Sequence, residues 1–386
     1  MHRLLLMPLL LAGQAMAAGF SGHVALEARN FLQDSRIGDS VDDNITLSAQ
    51  PKWQWHLGRD DELTLELFAR LDDREGRQHA DIRELRWLHL DGDNEWRIGI
   101  DSVFWGVTES RHLVDVINSV DRQEGVDGED KLGQPMIHYT RLTETGAFEL
   151  FLLPGFRPAH FADADARLTP PLPVAESLAR YESGDEERHL DAALRYSASI
   201  GDHEIGLSLF RGTQREPEFL PGLQNGQPVL IPWYPLMTQW GIDLQSIVGD
   251  WTWKLEAIRR ERDDADFNAL TAGFEYSFYG IFESALDLGL LLEYSSDDRD
   301  TEIFDDDWFA GLRLAFNDVQ SSEILAGLLY DADRHSRSLR IEASRRLGDS
   351  WKLNLEMQAF SGVAADDPMK LFERDDYLLL ELAWYF

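Results

Sequence analysis

The chain has 386 residues, with 36 Lys and Arg against 70 Asp and Glu, a formal net charge of −34, and no cysteine. The negative balance excludes general nucleic-acid binding, because phosphate contacts need a basic surface, and the lack of cysteine excludes disulfides, thiolate metal sites and cysteine nucleophiles. Apolar residues make up 44% of the chain and its mean hydropathy is −0.33, which suggests a soluble globular protein unless the apolar residues alternate with polar ones.

The first 18 residues predict a cleaved secretory signal peptide. Arg3 supplies the positive start, residues 4–12 form an apolar segment, and Ala15-Met16-Ala17 is a small-x-small cleavage site. Beyond this segment no stretch reaches the roughly 18 apolar residues that a membrane-spanning helix needs. We therefore expect export of the mature chain, residues 19–386, as a single domain.

The mature chain alternates between apolar and polar residues up to its last residue. In residues 286–294 and 377–386, every second position is Leu, Tyr, Trp or Phe. Segments of roughly ten residues with this period, separated by turn residues, are typical of an antiparallel up-and-down transmembrane β-barrel, an all-β fold. The pattern predicts eighteen strands, at 20–31, 43–57, 61–71, 80–91, 94–101, 136–143, 147–154, 189–200, 203–213, 237–248, 250–260, 266–279, 283–294, 308–316, 319–330, 336–347, 350–360 and 377–386.

The connections between these strands alternate between short and long. The short ones contain residues that suit hairpin turns, such as Gly201-Asp202, Tyr279-Gly280 and Asn317-Asp318. Short periplasmic turns, long extracellular loops and an even strand number place both termini in the periplasm. Seven tryptophans close to the short turns or the C-terminus predict an aromatic girdle at the membrane interface: Trp55, Trp87, Trp96, Trp251, Trp253, Trp351 and Trp384.

The last strand ends in Leu380-Glu381-Leu382-Ala383-Trp384-Tyr385-Phe386. An alternating strand that ends in Phe resembles the assembly signal of Gram-negative outer-membrane β-barrels, which the whole mature chain resembles in architecture. The resemblance implies an outer-membrane location, contact with membrane lipids and lipopolysaccharide, binding of the Phe386 strand by the barrel-assembly machinery, and an option of homo-oligomers. Arg97-Ile98-Gly99 and Trp105-Gly106 are also similar to short segments of alginate-export barrels.

The nine longer connections concentrate the negative charge, with 41 acidic and 16 basic residues. An acidic outer face would repel anions and attract cations, or would simply be a solvated surface. We expect no cofactor and no dedicated metal site, because the spacing of a calcium-binding loop is missing. The densest acidic stretch still supplies weak candidate ligands for a divalent cation: Asp297, Asp298, Asp305, Asp306 and Asp307.

The polar face of the predicted strands carries charged residues, often in pairs such as Glu84 with Arg86. Side chains alone cannot fill an eighteen-strand cylinder, so a polar inner wall implies water or a plug. The charges would form an ion-pair ladder that keeps the wall solvated, or a basic track that selects anions. The basic candidates for the lumen wall are Arg86, Arg97, Arg195, Arg340 and Arg346.

A long loop, residues 102–135, follows the fifth strand. This position resembles that of the porin loop that folds inward and narrows the pore. Leu113, Val114, Ile117 and Val120 have helix-like spacing and predict a short amphipathic helix from Glu109 to Val120. Charged residues of the loop would form a constriction if it lies inside the barrel and would be solvated if it caps the outside. These candidates are Glu109, Arg111, Asp115, Arg122 and Lys131.

The eleven histidines are scattered, and no phosphate loop, dinucleotide fingerprint or zinc motif is present. We therefore expect no enzyme, although residues that converge only in space leave a rim-located hydrolase open. The expected function is a porin-like channel for passive passage of small hydrophilic or charged solutes. Two alternatives stay open: an export conduit for an anionic polymer such as a polysaccharide, and a closed barrel with adhesive, structural or enzymatic loops.

Overall fold

The computed structural model describes residues 19–35, 43–73, 77–125, 128–162, 166–299 and 304–386. The predicted signal peptide lies outside these residues. Eighteen of the strands form one antiparallel sheet. They are β1 (Gly19–Phe31), β2 (Asp43–His56), β3 (Asp61–Asp72), β4 (His79–Asp91), β5 (Asn94–Asp101), β6 (Gln134–Thr143), β7 (Gly146–Pro154), β9 (Leu190–Ile200), β10 (His203–Thr213), β13 (Leu236–Val248), β14 (Trp251–Glu261), β15 (Phe267–Phe278), β16 (Asp287–Asp297), β17 (Asp306–Ala315), β18 (Glu323–Asp331), β19 (Arg337–Leu347), β20 (Trp351–Ser361) and β21 (Tyr377–Tyr385).

The sheet closes into a barrel, because β1 pairs with β21 as well as with β2. Every remaining barrel strand pairs with the barrel strands before and after it in the chain. The closed antiparallel barrel of eighteen strands predicted from the sequence is therefore confirmed. Closure leaves no free sheet edge, which is the condition for a β-sheet to cross a lipid bilayer. Among the described residues, the only helices are short 3-10 turns, and none could span a membrane.

The prediction of a tight turn is wrong for two connections, which are both longer in the structure. The Tyr279-Gly280 connection extends over 279–286 and includes a 3-10 turn at Ile281–Glu283. The Asn317-Asp318 connection extends over 316–322, so β16 and β18 begin later than predicted. Side chains stabilise these wider turns, because Asp287 accepts hydrogen bonds from Gly280 N at 2.8 Å and from the Asn317 side chain at 2.7 Å.

The outer surface of the barrel is apolar. Alternation turns Leu378, Leu380 and Trp384 of β21 outward, where they are 41%, 45% and 42% exposed. Trp251 and Trp253 stack on the same surface with ring centroids 5.5 Å apart. An apolar band with aromatic residues near the turns is the lipid-facing surface of an outer-membrane barrel.

A second, small sheet covers part of the long-loop end. It consists of β8 (Arg180–Tyr181), β11 (Glu218–Gln224) and β12 (Gln227–Tyr234), with 3-10 turns at Glu176–Leu178 and Glu186–Arg188. These strands lie in connections that the sequence pattern predicts as loops. The dipeptide Asn225-Gly226, where both residues have positive φ, was the available hairpin signal.

Candidate pore constriction

Residues 102–125 and 128–133 lie inside the barrel and are called the inner loop below. Trp105, Leu113, Val114 and Ile117 are buried in a cluster with inward-facing residues of the wall. The inner loop therefore covers a group of apolar residues on the inner face of the wall. These wall residues are Met136, Phe151, Leu153, Ala193, Phe210, Met237, Ile258, Phe267 and Ala269.

The amphipathic helix predicted from Glu109 to Val120 is wrong, since this segment is irregular. Its backbone N–H groups bond to carboxylates of the wall instead of to a helical ladder. Glu256 of β14, fully buried, accepts from Val107 N at 2.7 Å, from Thr108 N at 3.0 Å and from Val114 N at 3.2 Å. The helix-like spacing reflects packing against the wall rather than a 3.6-residue turn.

Glu293 of β16 binds the next residues of the inner loop in the same way. It accepts from the backbone N–H groups of Glu109 and Ser110 at 2.8 Å each, and from the Ser110 hydroxyl at 2.6 Å. Charge-assisted bonds of this kind are stronger than bonds between neutral groups. The two wall carboxylates thus attach the tip of the inner loop to the far side of the barrel.

Basic residues hold the opposite part of the inner loop. Arg70 of β3 lies between Glu27, at 2.9 Å, and Glu124 of the inner loop, at 2.8 Å, and all three side chains are buried. A β-bulge in β4 turns Arg83 into the lumen, where it donates to Asp121 at 2.7 Å. Burial would raise the pKa of Asp121, but His79 and Arg83 lower it to about 2.

His79, Asp121 and Glu124 also form a cluster whose nitrogen and oxygen atoms lie within 4.8 Å of one another. A metal ion could use such donors, but Arg70 and Arg83 already bind both carboxylates. The cluster is therefore an ion-pair clamp on the inner loop. Sequence reasoning missed it because His79 of β4 lies far along the chain from Asp121 and Glu124 of the inner loop.

The inner loop leaves the side of the lumen next to β17–β21 open. Two cavities, of about 470 and 440 Å³, lie between the loop tip and these strands. Glu109, Leu325 and Glu342 border both cavities, so the two cavities adjoin. The more polar of the two is lined by Glu109, Arg313, Glu323, Glu342, Lys352, Glu356 and Glu381, and the other by His112, Glu129, Phe309, Arg340, Phe360, Met369, Phe372 and Tyr377 among others.

Phe309 forms part of this wall because two glycines make room for it. Gly311 and Gly327 are paired across β17 and β18. A Cβ atom on Gly327 would lie 2.4 Å from Phe309 Cε2, and one on Gly311 would lie 3.1 Å from Phe309 Cε1. The ring therefore lies over the glycine pair instead of projecting across the lumen.

Of the predicted inner-loop residues, Glu109 borders the open side. Its carboxylate lies 2.6 Å from Arg313 and 3.7 Å from Lys254 on the wall. The others line a smaller adjoining cavity of about 280 Å³. There, Arg111 pairs with Asp297 at 2.9 Å, Lys131 pairs with Asp115 at 3.2 Å, and Arg122 pairs with Glu216 at 3.3 Å. Burial raises the pKa of Asp115, although Lys131 opposes the shift.

The predicted wall bases lie beside carboxylates, apart from Arg346, which is exposed at the short-turn end. Arg86 pairs with Glu84 at 3.0 Å, Arg97 with Glu95 at 2.6 Å and Arg340 with Glu342 at 2.5 Å. Arg195 forms two bonds of 2.8 Å with Asp243 and lies against the Trp105 ring of the inner loop. The arrangement is the ion-pair ladder and not a continuous basic track.

Protein groups bind most of the acidic residues considered as cation ligands. Asp297 is held by Arg111 and Arg299, Asp298 accepts from the Asn268 side chain at 2.8 Å, and Asp305 pairs with Arg334 at 2.6 Å. Asp306 accepts from the Tyr294 hydroxyl at 2.6 Å. Asp307 differs from these four, because it is buried and neither of its carboxylate oxygens has a hydrogen-bond partner among the residues that the structure describes.

No protein-family model matches the chain, and no curated protein does. Among solved structures, a loop-deletion mutant of OmpT, an outer membrane protein of Vibrio cholerae, is similar over 96% of this chain and 99% of its own, with a TM-score of 0.50 and 10% identity. A triple mutant of the Rhodopseudomonas blastica porin covers 96% and 100%, with a TM-score of 0.47 and 11% identity. The first likeness shows that the chain has the fold of an outer-membrane β-barrel, in agreement with its closed sheet and apolar outer band.

Proposed function

We propose that the protein is a passive channel for small hydrophilic solutes and that its constriction favours cations. The observation that carries the proposal is the pair of adjoining cavities between the tip of the inner loop and strands β17–β21. Water-filled space next to a polar wall is the basis of diffusion through a porin-like barrel. The inner loop is attached to the wall at both sides, so it narrows the lumen in a defined position.

The charge of the lining supports a cation preference. Six carboxylates border the two cavities, against three permanently charged bases and His112. A net negative lining in a narrow, low-dielectric channel concentrates cations and repels anions. The carboxylates are Glu109, Glu129, Glu323, Glu342, Glu356 and Glu381, and the bases are Arg313, Lys352 and Arg340.

The same contacts weigh against the conduit for an anionic polymer. Such a polymer needs a continuous row of available bases along its path. Arg195 lies under the inner loop and binds Asp243, while Arg340 lies beside Glu342 and Glu356. A closed barrel with adhesive, structural or enzymatic loops is not favoured either, because the two cavities beside β17–β21 leave space in the lumen for solutes.

Single-channel recording in a planar bilayer tests the proposal. The refolded chain should show stable conductance steps, and a salt gradient should give a reversal potential of the sign for cation preference. Glu109→Gln should reduce that potential, whereas Glu144→Gln, an exposed acid of a short turn, should leave it unchanged. A folded barrel without conductance would refute the channel, and an anion preference in the unaltered protein would refute the role assigned to the acidic lining.

A further inference from the structure

An apolar row lies on the lumen side of the wall, away from the part that the inner loop covers. Phe309 of β17 is directly paired with Leu329 of β18. Leu329 is paired with Ser338 of β19, and Ser338 with Phe360 of β20. These four residues form one continuous row across neighbouring strands, called the apolar row below, which is apolar apart from Ser338. The row borders the larger of the two cavities and is separate from the cluster under the inner loop.

The loop 362–376 enlarges this apolar surface. Phe372 stacks on Phe360 with ring centroids 6.4 Å apart and an interplanar angle of 28°. Met369 belongs to the same 3-10 turn, Pro368–Phe372, and also lines the larger cavity. Phe309 and Phe360 are only half-buried. The lumen wall of an outer-membrane barrel is normally polar, and apolar surface exposed in a cleft is typical of a ligand site.

Two carboxylates of the same wall lie nearer to the short-turn end than the apolar row does. Glu342 of β19 and Glu356 of β20 are directly paired and are called the acidic pair below. Arg340 lies 2.5 Å from Glu342 and 3.5 Å from Glu356, so one base serves two acids. Like charges directly opposite each other repel. The acidic pair, which shares its side of the lumen with Glu109 of the inner loop, would therefore be stabilised by a further cation.

The apolar surface and the acidic pair are close enough for one small molecule to contact both. Glu342 is paired with Leu325 of β18, and Gly327 is the next residue of β18 on the same face. Residues on the same face of a strand lie about 7 Å apart. The Phe309 ring extends over Gly327, since a Cβ atom there would lie 2.4 Å from Phe309 Cε2. The ring and the Glu342 position are thus separated by about one such step.

We propose that the passage binds small organic cations, with an apolar body on the apolar row and an ammonium group beside the acidic pair. Aromatic and aliphatic side chains bind hydrocarbon groups, and carboxylates bind an ammonium group through charge-assisted hydrogen bonds. The acidic pair would repel an anion with the same body, and an inorganic cation would gain nothing from the apolar row. Passage of such a cation rests on the proposed channel function, whereas its binding does not.

Block of the potassium current by a matched set of solutes tests the site. Phenethylammonium has both the ring and the charge, ethylammonium lacks the ring, phenylethanol lacks the charge, and phenylpropanoate has the opposite charge. In single-channel recordings of the unaltered protein, phenethylammonium should halve the current at a concentration about tenfold lower than ethylammonium or phenylethanol, because partial burial of its ring adds about that factor to the affinity. Phenylpropanoate should be the weakest of the four.

Substitutions on each side of the site test the two halves of the proposal. Phe309→Ala and Phe360→Ala should each raise the half-blocking concentration of phenethylammonium at least about threefold and leave that of ethylammonium unchanged. Glu342→Gln should weaken the block by both amines. Phe316→Ala is the matched control, because Phe316 is an exposed phenylalanine at the short-turn end, and it should behave like the unaltered protein. Phe360→Ala carries the test if Phe309→Ala does not fold.

Equal half-blocking concentrations for phenethylammonium and ethylammonium, or for phenethylammonium and phenylpropanoate, would overturn the proposal. Unchanged block in Phe309→Ala and Phe360→Ala would also overturn it. In each case a cation-selective potassium current would leave the channel function standing. If the folded barrel carries no current, the channel function fails, and calorimetric titration of phenethylammonium into the detergent-folded protein decides the binding separately. Saturable binding that Phe309→Ala weakens would support the site, and absence of binding would overturn it.

Discussion

Glu256 should be the most sensitive anchor of the inner loop, and Glu256→Gln tests it. The carboxylate is fully buried and accepts four hydrogen bonds from the inner loop, including one of 2.7 Å from the Thr108 hydroxyl. Glutamine keeps the size of the side chain, but its amide group would turn an N–H donor toward Val114 N. The substitution therefore weakens three bonds and places two donors against each other.

The free energy that Glu256→Gln removes from the attached inner loop follows from typical hydrogen-bond energies. A bond to a charged group contributes about 1.5–3 kcal/mol and a neutral one about 0.5–1.5 kcal/mol, so each weakened bond loses about 1 kcal/mol. The unsatisfied Val114 donor adds a cost of about 1–3 kcal/mol. Removal of a buried charge offsets part of the total, which leaves a net loss of about 3 kcal/mol, or about 150-fold in the opening equilibrium of the loop.

Hydrogen exchange of the folded protein in detergent micelles measures this opening. Protection of the Val107, Thr108 and Val114 amides should fall by about two orders of magnitude, because local opening governs their exchange. Glu261→Gln, a half-buried acid at the end of the same strand, is the control and should leave these amides unchanged. Protection within threefold of the unaltered protein in Glu256→Gln would refute the anchoring role.

Three further predictions concern the opposite clamp, the cavity wall and pH. Arg70→Met leaves Glu27 and Glu124 buried without their partner and should lower the free energy of unfolding by about 3–5 kcal/mol, measured in urea, while Arg59→Met in an exposed turn should have no effect. Gly327→Ala should displace the Phe309 ring, reduce conductance and cost about 1–3 kcal/mol, whereas Gly184→Ala, with open space around it, should be silent. Burial lowers the pKa of His112, but Glu129 and Glu256 raise it to about 9. Since this folded-state pKa lies above the unfolded value, the contribution of His112 to stability is complete below the unfolded pKa and is lost as pH rises through about 9. Cation preference should increase over the same range in the unaltered protein and stay constant in His112→Asn.

The barrel itself could be predicted from the sequence because lipid imposes a period of two on every strand. Leu378, Leu380 and Trp384 face lipid, and their neighbours face the lumen, so one strand already shows the pattern. Closure follows, since an open edge is not tolerated in a bilayer. The bounds of β16 and β18 were less predictable, because side-chain bonds of Asp287 and Asp318 stabilise turns wider than the hairpin signals indicate.

The interior was harder to predict, because its contacts join residues that lie far apart along the chain. The spacing of Leu113, Val114 and Ile117 indicates burial, but it cannot tell a helix from an irregular loop whose N–H groups bond to Glu256 and Glu293. The lack of a partner for Asp307 could not be predicted for the same reason, because its surroundings come from residues that lie far apart along the chain. Asp305 pairs with Arg334 of the turn after β18, and Asp306 accepts from Tyr294 of β16. Only the assembled structure shows that Asp307 has no hydrogen-bond partner among the described residues.

The central claim is that the inner loop covers one side of the lumen and leaves a passage along β17–β21. The chain has no cysteine, so single cysteines can report access without background. Ser344→Cys lies on the open side, and Ala193→Cys lies under the inner loop. A charged methanethiosulfonate reagent should react with Ser344→Cys and change its single-channel current, and should leave Ala193→Cys unmodified. Equal modification of both positions, or a current that does not respond at Ser344→Cys, would contradict this arrangement of the pore.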